Sequence, residues 1–426
     1  MAEADVIADR EQPASRPLST ADILIAIPTF NNEGTIGPVV KAVRAALRWF
    51  PKRKAVIAQV DGGSSDSTVA RARDSVEGQE PVLQVSYPLY PLHKLEVSHQ
   101  SVPGKENAYR RIFLLAEELG AKACCVVGGD ALVITPDWIV SLVQPILDMN
   151  FDLAAPLYQR DKYDGLLVSG ILYPAVRALF GKRIRQPAGS DFGYSRALIL
   201  RCLSLDTWNT ESARRDINFW VSMQAAQEDM KLCQVHLGSR PRVKLDAALD
   251  VSSILANLAG AMYSEMERTA EVWQRIRGSS PVPAFGLRFD PETDAHLTDV
   301  TPMIEMFRIG CQNLQDIWGL ILPPAAMLEL KRMSRQSGHE FHYPAELWAR
   351  TVYDFAVAHR LRPIGRDHLL RALTPLYLGW IASFMVRVAE MSAGQAEEQI
   401  EKLCEAYESQ KSYLISRWRW PDRFMP

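Results

Sequence analysis

The chain has 426 residues, 47% hydrophobic and 23% charged, with 48 Lys+Arg against 50 Asp+Glu for a formal net charge of -2. That length holds one large core or about two to three domains of ordinary size. The charge balance excludes an evenly basic surface of the kind that coats DNA or RNA, and 24 Gly with 26 Pro exclude a collagen-like or low-complexity chain.

The six cysteines, Cys124, Cys125, Cys202, Cys233, Cys311 and Cys404, show neither CxxC nor zinc-site spacing. Cys124 and Cys125 sit in an apolar run and read as packed core. No disulfide framework is expected, which points to a reducing compartment. The first twenty residues lack an apolar h-region. The late apolar run 373–386 is interrupted by Pro375 and Gly379 and is shorter than the ~20 residues of a bilayer span. A cytoplasmic protein with no integral membrane segment is expected.

Residues 1–18 read as a flexible tail. Residues 23–27 predict a first strand, followed by a helix that aligns Ile36, Val39, Val40, Val43 and Leu47. A second strand, 56–60, runs into Asp61-Gly62-Gly63-Ser64-Ser65-Asp66-Ser67-Thr68, a turn and helix start. A third strand, 82–87, leads to Pro103-Gly104-Lys105 and a helix with Ala108, Ile112, Leu115 and Leu119 on one face. A fourth strand, 123–127, ends in Gly128-Gly129-Asp130.

Strands alternating with helices predict a parallel α/β sheet, whose ligands lie outside the carboxyl ends of the strands. Beyond about residue 250 the pattern turns helical, with a linker at 278–283 and no strand. The expected organisation is an α/β domain over 19–250 and a helical domain over 251–426.

Several residues at the strand ends suit chemistry. Asp61 could accept hydrogen bonds from a nucleotide base or ribose, or equally cap its own turn. Lys105 opens a helix and could balance phosphate charge, or stand exposed at the helix start. Asp130 could hold Mg²⁺ or Mn²⁺ against a diphosphate, because hard cations take oxygen ligands, or be an ordinary turn aspartate. The segment Arg160-Asp161-Lys162-Tyr163-Asp164-Gly165 packs four charges around a Tyr and a Gly. Asp191, bracketed by Gly189 and Gly193, could face a developing positive centre or cap a helix start before Tyr194.

In this order the motifs resemble retaining glycosyltransferases of the GT-A fold, and more narrowly the enzymes that make glucosylglycerate and mannosylglycerate. The matching residues are Ile27-Pro28-Thr29-Phe30-Asn31-Asn32-Glu33, the turn from Asp61, Pro103-Gly104-Lys105 and Asp130 before Ile134-Thr135-Pro136-Asp137-Trp138. Arg160 to Gly165, Arg185-Gln186-Pro187, Ser190-Asp191-Phe192-Gly193 and Trp220 continue the match. The resemblance implies an enzyme that moves glucose or mannose from a UDP- or GDP-hexose to a small hydroxy acid such as glycerate. Pro28, Thr29, Asn31, Glu33, Asp61, Gly62, Lys105, Gly129 and Asp130 would bind the nucleotide sugar, with Asp130 as metal ligand. Asp191, Arg185 and Gln186 would be catalytic, and Arg160, Tyr163, Asp164 and Gly165 would bind the acceptor. A homodimer and no nucleic-acid partner are expected.

The chain departs from that pattern where the family has Asp-x-Asp. Gly128 replaces the first acid, and His236 lies on the wrong side of Gly238 to be the family's metal histidine. Either Arg240 or Arg242 neutralises the diphosphate instead, or the chain is a non-catalytic relative that binds nucleotide sugar as a scaffold or regulator. A pyrophosphorylase-like activity would want a glycine-rich phosphate loop, and Asn31-Asn32-Glu33-Gly34 makes a poor one.

Overall fold

A computed structural model describes residues 20–75, 82–89, 102–131, 133–239, 247–287 and 299–421. The tail expected at 1–18, and with it Arg240 and Arg242, lies outside the described residues. The four expected strands form as β1 Ile23–Thr29, β2 Ala55–Asp61, β3 Leu83–Ser86 and β4 Ala123–Val126. All seven residues of β1 are buried, which is why it reads as a continuous apolar run rather than an alternation.

The chain then adds β5 Leu153–Gln159, β6 Lys182–Arg183, β7 Phe192–Ser195 and β8 Leu232–Ser239. Two short strands follow, β9 Ser280–Pro281 and β10 Ala284–Phe285. The main sheet has the order β10-β8-β5-β7-β4-β1-β2-β3, while β6 pairs with β9 separately. Within the main sheet β7 runs antiparallel to β4 and β5, and the remaining pairs are parallel. Strand order reverses between β1 and β4, which opens a crevice at their carboxyl ends.

β7 corrects the loop-and-helix-start reading of residues 189–194. A Cβ on Gly193 would fall 2.2 Å from the carbonyl oxygen of Leu142. The strand therefore passes against the backbone of the helix Pro136–Met149, a close approach that requires glycine. β9 and β10 correct the expectation of a strand-free second half. β10 joins the sheet edge beside β8, so the sheet draws on chain beyond the expected boundary at 250.

Each sheet face carries its own core. Ile23, Ile25 and Ile27 pack with Val39, Val43, Trp138 and Leu142 on one side. Leu24 and Ala26 pack on the other with Ile112, Phe113 and Leu119, and that core runs on without a break to Trp348, Phe384, Tyr407 and Trp418. The helical region thus rests on one face of the sheet and shares its core.

Trp348, Tyr353, Phe355, Trp380 and Phe384 are all buried here. By length and composition Arg366–Val388 could cross a membrane, longer than the run read from sequence, and 83% of its most apolar window is buried inside the protein. Gly379 and Gly310 explain the fit: a Cβ on either would strike Phe307 at 2.7 Å or Pro375 at 2.6 Å.

Candidate active site

The loops after β1, β2 and β4 are tied together by their own side chains. Thr29 Oγ1 donates to Asp61 Oδ1 at 2.8 Å, and Ser64 Oγ to the same oxygen at 2.7 Å. The backbone N–H groups of Gly63 and Ser64 donate to Asp61 Oδ2 at 2.9 and 2.8 Å. These four donors fill the carboxylate's acceptor positions. Asp61 therefore organises its turn as a cap would, and a nucleotide hydroxyl reaches it only by exchanging with one of them.

Asn31, in the left-handed region at φ 53, donates its N–H to Ser64 Oγ at 2.9 Å and accepts Ser65 N–H on Oδ1 at 2.9 Å. Glu33 N–H donates to Asp66 Oδ2 at 3.1 Å, and Ser67 N–H returns to Glu33 Oε2 at 3.2 Å. Thr35 Oγ1 reaches Gly129 O at 2.6 Å. A Cβ on Gly129 would lie 2.9 Å from Thr29 Cγ2 and 3.0 Å from Pro28 O. Pro28, Thr29, Asn31, Glu33, Asp61, Gly62 and Gly129 thus meet in one place, with Asp130 beside them.

Lys105 opens the helix Lys105–Glu118 behind Gly104, whose φ of 54 turns the chain into it. Pro103 packs against the Gly62 turn, where a Cβ would come within 3.0 Å of its ring and 2.8 Å of the Tyr87 hydroxyl. Lys105 Nζ lies 5.9 Å over the Tyr109 ring. Burial pushes the Asp216 carboxyl up, opposed by the charge of Lys105 and by the Phe219 N–H.

The structure brings a second group together around a cavity of about 380 Å³. Arg160, Asp164, Gly165, Arg185 and Gln186 line it; Tyr163 does not. Gly165, at φ 68, leaves room for Arg160: a Cβ there would fall 2.1 Å from its Nη1. A wide π-helical turn, Val168–Leu172, carries Ser169 to the same wall. Such turns often mark functional sites.

Asp191 stands between the two groups. It is 1% exposed, accepts Gly128 N–H on Oδ1 at 3.0 Å and accepts the Tyr158 hydroxyl on Oδ2. Tyr158 in turn belongs to the cavity wall. Asn218 supports the loop, donating to Gly189 O at 2.8 Å while Tyr194 OH donates to it at 3.2 Å.

At the β4 turn a Cβ on Gly128 would fall 2.5 Å from Asp130 Oδ1. The Asp130 carboxylate covers the space in which a first acid of Asp-x-Asp would stand. Among the described residues no group of three or more His, Cys, Asp or Glu has metal-holding spacing. This donor set fits a divalent ion that enters with diphosphate oxygens and waters, not one caged by protein alone.

Sequence reasoning missed Tyr158 and Glu397. Tyr158 could have been read from its place two residues before Arg160 once β5 was recognised. Glu397 lies on a helix distant in sequence, Ala393–Ser409, that meets the cavity wall, and carries no local signal.

No protein-family model matches the chain. The dodecaprenyl-phosphate galacturonate synthase of Rhizobium johnstonii is 35% identical over 205 residues, which cover 44% of this chain and 52% of that one. The chain spans about half the length of this curated relative. Among solved structures, glucosyl-3-phosphoglycerate synthase of Mycobacterium tuberculosis is similar, with a TM-score of 0.41 at 19% identity over 58% of this chain and 80% of that chain. Its complex with Mg²⁺ and uridine diphosphate gives a TM-score of 0.42 at 19% identity, covering 59% and 80%.

Proposed function

We propose that the chain is a glycosyltransferase that moves a sugar from a nucleoside-diphosphate sugar to a hydroxylated acceptor. The observation that carries this reading is the crevice at the reversal of strand order, where Thr29 bonds Asp61, Thr35 bonds the Gly129 carbonyl and Asp130 follows directly on that turn. Gly129 lets the β4 turn close on β1, and Asp130 on that turn would share a divalent ion with a diphosphate. The sugar-transferase relative that covers 44% of the chain supports the same reading.

In this reading the donor is a UDP- or GDP-hexose and its nucleotide lies over the loops after β1 and β2. Asp61 shapes that loop rather than reading the base alone. Asp191, nearly fully buried, positions the β4 turn against the acceptor cavity and lends negative charge beside the reacting centre. The cavity of about 380 Å³ seats the acceptor. Glycerate is the acceptor implied by the sequence resemblance, whereas the Rhizobium relative is named for dodecaprenyl phosphate. Retention of configuration, a cytoplasmic location and a homodimer belong to this proposal as well.

The second reading, a non-catalytic nucleotide-sugar binder, draws on Gly128 standing where the family has an acid. Incubation of the purified chain with UDP-glucose, UDP-galacturonate or GDP-mannose, Mg²⁺ and candidate acceptors separates the two. Release of nucleoside diphosphate that depends on acceptor supports transfer. Binding of nucleotide without any release, across donors and acceptors, supports the binder.

A further inference from the structure

Arg185 reaches the cavity from the segment between β6 and β7, and its guanidinium is already engaged. Nε and Nη2 donate to the two carboxylate oxygens of Glu397 at 2.7 and 3.1 Å, and Nη2 also donates to Ser169 Oγ at 3.0 Å. Its face lies 5.0 Å over the Tyr173 ring. Two parallel bonds to both oxygens of one carboxylate are the geometry with which arginine reads a ligand's carboxylate or phosphate. Here the carboxylate belongs to the protein. Glu397 lines the same cavity, and its side chain keeps 43% exposure, so the pair stands at the wall a ligand would meet.

The remaining charges of that wall offset one another. Arg160, Lys162 and Arg185 share it with Asp161, Asp164 and Glu397, so the charges balance with the imidazole of His236, also on the wall, neutral. Lys162 is itself spent on carbonyl oxygens, with Nζ donating to Val388, Ala389 and Met391 at 2.8, 2.7 and 2.9 Å. An anionic ligand finds no surplus positive charge here.

The wall does offer an amide. Gln186 is 6% exposed and lines the cavity, and its Oε1 is buried with no hydrogen-bond partner. A buried acceptor left without a donor is costly. A ligand hydroxyl supplies that donor when the amide turns its buried oxygen toward the cavity, and because a hydroxyl both donates and accepts it can pair with either end of the amide.

We propose that Glu397 is a specificity-determining residue: it fills the anion position of Arg185 from within, so the cavity takes a neutral, hydroxyl-bearing group against Gln186 and turns away a carboxylate or phosphate. The identification of that group as the acceptor's rests on the proposed function. The binding preference itself is a property of the cavity.

The test compares glycerol and glycerate, which share a carbon skeleton and differ in charge, as ligands of the full-length chain followed by ligand-observed NMR titration. Wild type is expected to bind glycerate at least ~10-fold more weakly than glycerol, on the scale of one charge-assisted hydrogen bond. Glu397→Gln leaves Arg185 unneutralised and should raise glycerate affinity about 10-fold with little change for glycerol. Glu397→Asp keeps the charge and should behave as wild type, while Arg185→Gln combined with Glu397→Gln should lose the gain. Gln186→Leu should weaken glycerol several-fold.

Glycerate binding wild type as tightly as glycerol overturns the proposal, with no variant required. So does a folded Glu397→Gln protein that gains nothing for glycerate. A parallel titration with UDP and GDP reads the proposed function separately: loss of nucleotide binding sinks that function and leaves the cavity preference standing, and the reverse outcome does the opposite.

Discussion

The backbone N–H of Gly128 donates to the carboxylate of Asp191 at 3.0 Å, and the other oxygen of that carboxylate accepts the Tyr158 hydroxyl. One buried acid thereby fixes the β4 turn, which carries Asp130, to the wall of the cavity. Gly128 lies 63 positions and Tyr158 33 positions from Asp191, and this carboxylate joins the crevice to the cavity.

Asp191→Asn tests the link. An amide offers one acceptor oxygen where the carboxylate offers two, and its NH₂ would face either the Gly128 N–H or the Tyr158 hydroxyl. Loss of a buried charge-assisted bond costs about 1–3 kcal/mol. Urea denaturation should show that loss, with nucleotide affinity nearly unchanged and sugar transfer sharply reduced. Full transfer activity in a stable variant would show that the link has no role in the reaction.

Asp61→Ala removes the acceptor of four donors at once. The loop 61–68 loses its organiser, so nucleotide affinity and stability should fall together, each by about 1–3 kcal/mol. Asp61→Asn keeps one oxygen and should fall between the variant and wild type. Calorimetry with UDP and GDP, paired with denaturation, measures both. A variant that binds nucleotide less well at unchanged stability would mean that Asp61 reads the ligand directly.

Gly129→Ala places a methyl 2.9 Å from Thr29 Cγ2 and 3.0 Å from both Asn32 Oδ1 and Pro28 O. All three neighbours belong to β1 or its turn, and the Pro28 carbonyl cannot retreat without moving backbone. Overpacking of this kind costs about 1–3 kcal/mol, and the β4 turn should shift away from β1. The expected result is weaker nucleotide binding with the cavity's ligand preference intact. Wild-type nucleotide affinity in Gly129→Ala would remove the close approach of these loops from the account.

Much of this arrangement was legible before any coordinates, and the reasons are local. β1, β2 and β4 announce themselves as apolar runs leading into Asn31, Asp61 and Asp130, which fall at their tips because parallel topology puts them there. β7 was not legible. Its glycine, demanded by the approach to Leu142, reads as a turn residue, and the antiparallel insertion between β4 and β5 joins strands far apart in sequence. The Arg185–Glu397 fork spans 212 positions, and no pattern in one segment carries news of the other. For the same reason the helical region read as a separate domain, although its core continues that of the sheet.

Lys411 gives a pH test of how the helical region is fastened down. Its Nζ donates to the carbonyl oxygens of Ala178 and Ile276 at 2.7 and 2.9 Å. Burial, reinforced by the charge of Arg277, pushes its pKa down to about 8. Between that value and the ordinary lysine value near 10.4, the unfolded chain binds the proton and the folded chain does not. Stability should therefore rise with pH through that window. Urea midpoints from pH 7.5 to 10 should climb more steeply in wild type than in Lys411→Met. Equal slopes would show that the ammonium is not penalised by its surroundings.

Calorimetric titration of the wild-type chain with UDP-glucose, UDP-galacturonate and GDP-mannose, each with and without Mg²⁺, tests the central claim most directly. The stitched crevice with one carboxylate at Asp130 predicts saturable binding of at least one nucleotide sugar, tightened by Mg²⁺ because ion and diphosphate enter together. Absence of heat and of saturation for every nucleotide sugar, in both conditions, would contradict it.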